Sequence, residues 1–269
     1  MPPTEQAPVQ VTDRFVHIPQ GRLLVRSWQL AGSAAAAPIV LFHDSLGCVE
    51  LWRDFPAALA AATGRRVIAY DRLGFGRSDP RRGSLTPGFV ADEAEAALPA
   101  LQRELDFGRF AAFGHSVGGG MAVHCAARHP EQCLALVTES AQAFVEERTL
   151  AGIREAKSGF EDPARFERLV RYHGDKARWV LTAWTETWLS PAFRDWSLAD
   201  VLPQVACPVL ALHGEHDEFG TARHPATIAR LAGAGARVEI IGGAFHVPHR
   251  EQPARILRLA SEFLAAHPA

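Results

Sequence analysis

Short apolar runs rich in branched side chains alternate along this chain with alanine-rich or amphipathic stretches. That alternation predicts a mostly parallel sheet whose strands are joined by crossover helices. Residues 39–42, 67–70, 110–113, 134–138, 209–212 and 237–241 read as buried strands. Ahead of them, residues 14–18 and 22–30 flank the turn Pro19-Gln20-Gly21 and predict an antiparallel hairpin. The count comes to about eight strands. Between them, residues 55–62 and 92–104 are alanine-rich with polar faces, and a further helix is expected over 117–128.

The alternation stops between residues 142 and 203, where helical patterns such as 165–171 and 176–187 take over. We therefore expect a core domain of residues 1–141 and 204–269, interrupted by a helical lid at 142–203. Four of the six tryptophans, Trp179, Trp184, Trp188 and Trp196, fall in that insertion. A lid over the strand ends would use such side chains to wall an apolar pocket, and Trp179, Trp184 and Trp188 are the candidates. For any one tryptophan, packing of lid onto core is the simpler account.

Composition narrows the partners. A chain of 269 residues that is 48% hydrophobic can bury a full core, and a formal charge of −2 supplies no electrostatic attraction to nucleic acid or an anionic membrane. A small, neutral or weakly charged molecule fits better, and no oligomeric state is read from the pattern. The opening Met1-Pro2-Pro3-Thr4-Glu5-Gln6 lacks the basic and apolar segments of a secretory signal, and no apolar run approaches bilayer length, so a cytoplasmic location is expected. Cys48, Cys125, Cys133 and Cys207 are too scattered for a metal pair or a disulfide framework and read as free, mostly buried thiols.

The candidate chemistry begins at Gly114-His115-Ser116-Val117-Gly118, directly after an expected strand and at the start of an expected helix. A serine at the apex of so tight a turn takes strained backbone geometry, and glycines two before and two after let strand and helix approach. An acidic residue, Asp217, and then a histidine, His246, follow in order, each beside an expected strand end. A serine is a weak nucleophile unless an imidazole takes its proton and a carboxylate orients that imidazole, and all three residue types are present. Glu139, after the strand at 134–138, is an alternative position for the acid. His213, His216 and Asp217, and likewise His246 and His249, cluster like metal ligands, but neither set is completed at a familiar spacing, so no metal is expected. Gly74-Phe75-Gly76 lacks the third glycine of a dinucleotide fingerprint and reads as a structural loop, and no cofactor is expected. His43 and His115 are expected to line the crevice as hydrogen-bonded structural histidines.

From about Phe15 to Leu264 the chain resembles the α/β-hydrolase fold enzymes. Val40-Leu41-Phe42-His43-Asp44-Ser45-Leu46-Gly47 is similar to the family's strand and oxyanion loop. Asp71-Arg72-Leu73-Gly74-Phe75-Gly76-Arg77-Ser78 resembles its Asp-x-x-Gly-x-Gly-x-Ser segment. Gly114 to Gly118 resembles the nucleophile elbow, Gly214 to Asp217 the acid loop and His246 to Pro253 the histidine loop. The resemblance implies an eight-stranded, mostly parallel sheet flanked by helices with an inserted helical lid. It also implies Ser116 as nucleophile, His246 as general base and then acid, and Asp217 as orienting carboxylate, with an oxyanion hole from the backbone N–H groups of Ser45 and Val117.

One departure stands out: the family commonly has His-Gly where this chain has His43-Asp44. Aspartate tolerates left-handed backbone better than most residues, and the stretch resembles the Asn-Ser-Leu-Gly loop of the 3-oxoadipate enol-lactonase branch. The reaction implied is cofactor-free hydrolysis of a carboxylic ester, thioester or lactone of a small apolar or aromatic substrate through an acyl-enzyme. Carbon–carbon bond hydrolysis and metal-free perhydrolysis use nearly the same triad, and a non-catalytic ligand receptor is the alternative of another class. Haloalkane and epoxide hydrolysis resemble a variant with aspartate at the nucleophile position, which is Ser116 here.

Overall fold

Eight strands form one sheet in the order β1-β2-β4-β3-β5-β6-β7-β8. In the computed structural model, which describes residues 8–32, 36–232 and 236–267, these strands are β1 Val9–Ile18, β2 Gly21–Leu30, β3 Ile39–Phe42, β4 Val67–Tyr70, β5 Phe110–His115, β6 Cys133–Glu139, β7 Val209–Gly214 and β8 Arg237–Ile241. The hairpin β1–β2 is antiparallel, β2 joins β4 antiparallel, and every later pairing is parallel. The opening hexapeptide, on which the expectation about a signal rests, lies outside the described residues. Among those described, no helix is long and apolar enough to cross a membrane.

The continuous apolar runs are explained by two covered faces. Along each strand side chains alternate between faces, so Ile39 and Leu41 pack on one side while Val40 and Phe42 pack on the other. The same split separates Val67 and Ala69 from Ile68 and Tyr70, and Ala111 and Phe113 from Ala112. One face is covered by α1 Phe55–Thr63 and α10 Pro253–Ala266, through Phe55, Leu59, Ile256, Leu259 and Phe263. The other is covered by α3 Leu98–Leu105 and α4 Val117–Arg128, through Leu98, Leu101, Met121 and Ala122. Each fully buried Leu, Ile or Phe contributes roughly 1.5–3 kcal/mol of transfer free energy, so the doubly covered central strands anchor the site.

Two elements differ from expectation. β1 starts at Val9, five residues earlier than the expected 14, because all ten residues of β2 find ladder partners, from Gly21↔Ile18 to Leu30↔Val9. As an edge strand with mostly exposed side chains, β1 shows no apolar run to mark its start. The helix expected over 92–104 is divided into α2 Phe89–Asp92, a wider π turn Glu93–Ala97, and α3. Pro99 lies just beyond that turn, and its ring would strike the carbonyl four residues back in a regular helix.

Between β6 and β7 lie α5 Glu147–Gly159, α6 Pro163–His173 and α7 Ala177–Trp188. The one β pairing described in that segment is the isolated bridge Phe144↔Ser197. Asp162 caps α6 by accepting the Ala164 N–H at 3.0 Å, with Pro163 at the first helical position. Phe193 stacks on Trp196 and both meet Trp188 edge-on, with ring centroids 5.1–5.6 Å apart, and Phe193 meets Phe89 of α2 at 5.8 Å. All four cysteines are free and buried, as expected.

Candidate active site

The strand-to-helix turn at Ser116 is forced by two glycines. A Cβ on Gly114 would sit 2.2 Å from the Gly118 carbonyl oxygen, and one on Gly118 would sit 2.1 Å from the Phe42 carbonyl oxygen. Both contacts are with backbone, which cannot move aside. Ser116 itself lies at φ 55°, ψ −127°, a region that costs a non-glycine residue about 1–3 kcal/mol. Its N–H donates to the Glu139 carbonyl at 2.8 Å, and the Gly119 N–H donates to its carbonyl at 2.8 Å, so the surrounding backbone holds the strain in place.

Loops after β7 and β8 bring the other two side chains to this turn. The Ser116 hydroxyl lies 3.0 Å from His246 Nε2, and His246 Nδ1 lies 2.9 Å from both carboxylate oxygens of Asp217. The network assigns the ring proton to Nδ1, donated to Asp217, which leaves Nε2 free to accept from the hydroxyl. The Phe219 N–H donates to Asp217 Oδ1 at 2.8 Å. All three side chains are largely buried. Burial alone would lower the His246 pKa, but the Asp217 charge and hydrogen bond outweigh it and hold the imidazole above its ordinary value of 6.5. Burial would likewise raise Asp217, yet the attraction of His246 keeps it below its ordinary 3.8.

The loop after β3 runs beside this turn. His43 Nδ1–H donates to the Asp44 carbonyl at 2.8 Å, the Arg72 guanidinium donates to the same oxygen at 2.8 Å, and the Arg72 N–H donates to His43 Nε2 at 3.1 Å. Burial holds the His43 pKa well below the usual imidazole range, consistent with this neutral role. Asp44 is not among the residues with positive φ, so its place in the loop does not depend on left-handed backbone, contrary to the expectation above. Burial would raise its carboxyl pKa, but nearby His115, His43, Arg250 and His246 hold it below the ordinary value. The ionised group in turn favours a protonated His246.

An α/β-hydrolase family model matches residues 37–177, more than half of the chain. The chain belongs to the α/β-hydrolase fold family. Among curated relatives, it is 28% identical over 262 residues to the 2-hydroxymuconate semialdehyde hydrolase of Pseudomonas sp. strain CF600, covering 88% of this chain and 89% of the relative. It is also 28% identical to the mouse (Mus musculus) serine hydrolase BPHL, over 84% of this chain and 78% of the relative. In fold it is similar to the enol-lactonase from Burkholderia xenovorans LB400, with a TM-score of 0.72 at 21% identity over 94% of this chain and all (100%) of the other.

In this α/β-hydrolase a cavity of about 200 Å³ opens onto Ser116 and His246. Leu46, Ile153, Phe160, Trp184, Trp188 and Phe219 supply apolar wall, Ser45, Gln142 and Thr149 bring polar groups to it, and Asp44, Arg165 and Glu218 bring charged ones. A larger groove of about 910 Å³ runs between the β1–β2 turn and α3, but Ser116, Asp217 and His246 do not line it. Size therefore does not locate the chemistry here.

Three residues expected at the pocket lie outside the cavity's lining. Trp179 points to the loop at 74–83 instead, donating its indole N–H to the Gly83 carbonyl at 2.8 Å and packing on Phe75. Its position on α7 turns it one face away from Trp184 and Trp188. His43 is occupied as described, and His115 donates its Nε2–H to the His246 carbonyl at 2.8 Å from behind the site. Ser45 lines the cavity, while Val117 is buried at the first turn of α4. Glu139, the alternative acid, pairs with His249 rather than His246. Those two and His115 are the one group of three described residues whose ligand-type atoms come within 4.8 Å of one another, but a direct Glu139–His249 hydrogen bond of 2.5 Å fills the space an ion would need.

Several supporting residues carry no motif. Arg148 and Thr149 of α5 hold the acid loop by donating to the carbonyls of Asp217 at 2.8 Å and Phe219 at 2.7 Å. His173, at the end of α6, accepts the Gly76 N–H at 2.9 Å and donates to the Leu46 carbonyl at 3.0 Å, pinning two loops at once. The Glu251 carboxylate accepts the N–H groups of Phe245 at 2.5 Å and Val247 at 2.9 Å, on either side of His246. Of these only Glu251 lies in a segment that the sequence singles out, the one resembling the histidine loop.

Proposed function

We propose that this α/β-hydrolase is a cofactor-free serine hydrolase of carboxylic esters, thioesters or lactones with a small apolar or aromatic acyl group. One observation carries the reading: a continuous hydrogen-bonded chain from Asp217 through His246 to Ser116 ends in a largely apolar cavity of about 200 Å³. Ser116 attacks the carbonyl while His246 Nε2 takes its proton, and Asp217 stabilises the imidazolium that forms. The N–H groups of Ser45 and Val117 receive the negative charge that develops on the carbonyl oxygen, each contributing about 3 kcal/mol to the barrier reduction. His246 then protonates the leaving group and activates the water that releases the acyl-enzyme.

In this reading the segment 142–203 is a lid, since Ile153 of α5, Phe160 just after it, Arg165 of α6, and Trp184 and Trp188 of α7 all line the cavity. Carbon–carbon bond hydrolysis on the same three residues is the second reading, favoured by the similarity to the semialdehyde hydrolase.

A serine-directed fluorophosphonate is expected to form an adduct at Ser116, read by peptide mass spectrometry. In a nitrophenyl ester series, kcat/KM is expected to peak at short acyl chains or a benzoyl group. An unmodified Ser116 would overturn the nucleophile assignment, and a strong preference for long acyl chains would overturn the small pocket.

The pH profile follows from the His246 environment. Only the neutral imidazole can accept the serine proton, so kcat/KM should rise with pH through an apparent pKa above the ordinary 6.5. A profile flat between about pH 5 and 8 would rule out His246 as the base.

A further inference from the structure

Beneath the three site residues lies a second acid–histidine pair that the reaction does not use. Glu139 ends β6, is fully buried, and receives the His249 Nδ1–H at 2.5 Å. Its other oxygen, Oε1, has no hydrogen-bond partner among the described residues. Burial would raise the carboxyl pKa, but His249 keeps it below the ordinary value, so the group remains a carboxylate. His249 sits on α9 Pro248–Glu251, three residues beyond His246, packed against the rings of Trp52 at 4.8 Å and Phe55 at 5.4 Å.

The same residue also holds the nucleophile. The Ser116 N–H donates to the Glu139 carbonyl at 2.8 Å, and His115 pairs with Glu139 in the β5–β6 register. His115, its pKa lowered to about 4 by burial, stays neutral and donates to the His246 carbonyl at 2.8 Å. Glu139 thus grips the elbow through its main chain and the histidine loop through its side chain. The Ser116–His246 separation is spanned by this one residue, with His115 as a cross-tie.

We infer that Glu139 and His249 are positioning residues that set the distance between the Ser116 hydroxyl and His246 Nε2. This rests on the proposed roles of Ser116 and His246. A buried carboxylate held by a histidine is a poor source of net stability, because its desolvation offsets the attraction, whereas the hydrogen bond fixes one geometry among several apolar packings. Misplacing a reacting group by about 1 Å can cost on the order of 100-fold in rate.

The test compares Glu139→Leu, His249→Leu and the double variant with the wild type. Its readouts are kcat and KM on one aryl ester, the rate of Ser116 labelling by a fluorophosphonate, and Tm. Glu139→Leu is expected to lower kcat by ~100-fold with KM within about twofold. The double variant, with no buried charge left unpaired, should recover most of the Tm lost in His249→Leu but not the rate. Recovery of rate together with Tm, or a Glu139→Leu enzyme within about threefold of wild type, would reduce the pair to a purely structural role and overturn the inference.

If the leucine variants are insoluble, Glu139→Gln carries the test, since it keeps side-chain volume and an oxygen acceptor. Of two downfield imidazole N–H resonances in the proton spectrum, the one from His249 should move while the one shared by His246 and Asp217 stays, with kcat lowered less than in the leucine variant. An unchanged spectrum and rate would overturn the inference. No labelling of wild-type Ser116 would instead refute the hydrolase reading itself, whereas equal labelling of all variants would refute this inference alone.

Discussion

Replacing Ser116 with alanine is expected to lower kcat on an activated ester by on the order of a millionfold, leaving only the rate that binding and oxyanion donors supply. The hydroxyl is held 3.0 Å from His246 Nε2, and the Gln142 side chain, 3.4 Å from it, is no nucleophile to take its place. Folding should be almost unaffected, because alanine at φ 55° keeps the strain and removes one hydrogen bond. Ser116→Gly is the informative partner: it abolishes turnover equally but releases about 1–3 kcal/mol of backbone strain. Its Tm should therefore rise by a few degrees above that of Ser116→Ala. Activity within about tenfold of wild type in either folded variant would show that another residue is the nucleophile. Equal melting temperatures would show that the turn relaxes without cost.

The strained serine and its two glycines were legible because a tight turn leaves little choice of residue. Gly114 and Gly118 each face a backbone oxygen at about 2 Å from any added Cβ, and only one amino acid satisfies that. The buried strands were legible for a related reason: two covered faces turn alternation into continuous apolar runs, as in Ile39–Phe42. β1 gave no such signal, because an edge strand with exposed side chains is set by hydrogen bonding to its neighbour.

Direction within an element was harder to read than its existence. Trp179, Trp184 and Trp188 looked equivalent along the chain, yet α7 turns Trp179 toward Gly83 and Phe75 and the others toward the cavity. Long-range pairs outside the recognised motifs left no trace. Glu139 and His249 are 110 positions apart, and His173 lies 97 from Gly76, so neither pairing leaves a local pattern. The aspartate at 44 was flagged by its departure from a familiar loop, but its physical effect required the surrounding charges: an ionised carboxylate that helps keep His246 basic.

Asp217→Asn is expected to lower kcat by about 10⁴-fold while leaving the fold intact. The Phe219 N–H, 2.8 Å from Oδ1, selects which end of the amide is oxygen, so the new NH₂ takes the place of Oδ2, one of the two oxygens 2.9 Å from His246 Nδ1. An NH₂ group facing Nδ1 favours the tautomer with its proton on Nε2, which then cannot accept from the serine. The electrostatic balance also inverts. Burial already pushes the His246 pKa down, and the Asp217 charge and hydrogen bond, helped by Glu218 and Asp44, bring it above 6.5, so without the Asp217 charge the pKa should fall. The rising limb of kcat/KM should therefore move to lower pH than in the wild type even as the maximum collapses. Loss of rate with an unmoved limb would mean that Asp217 orients His246 without tuning its charge. A rate within about tenfold of wild type would remove Asp217 from the relay altogether.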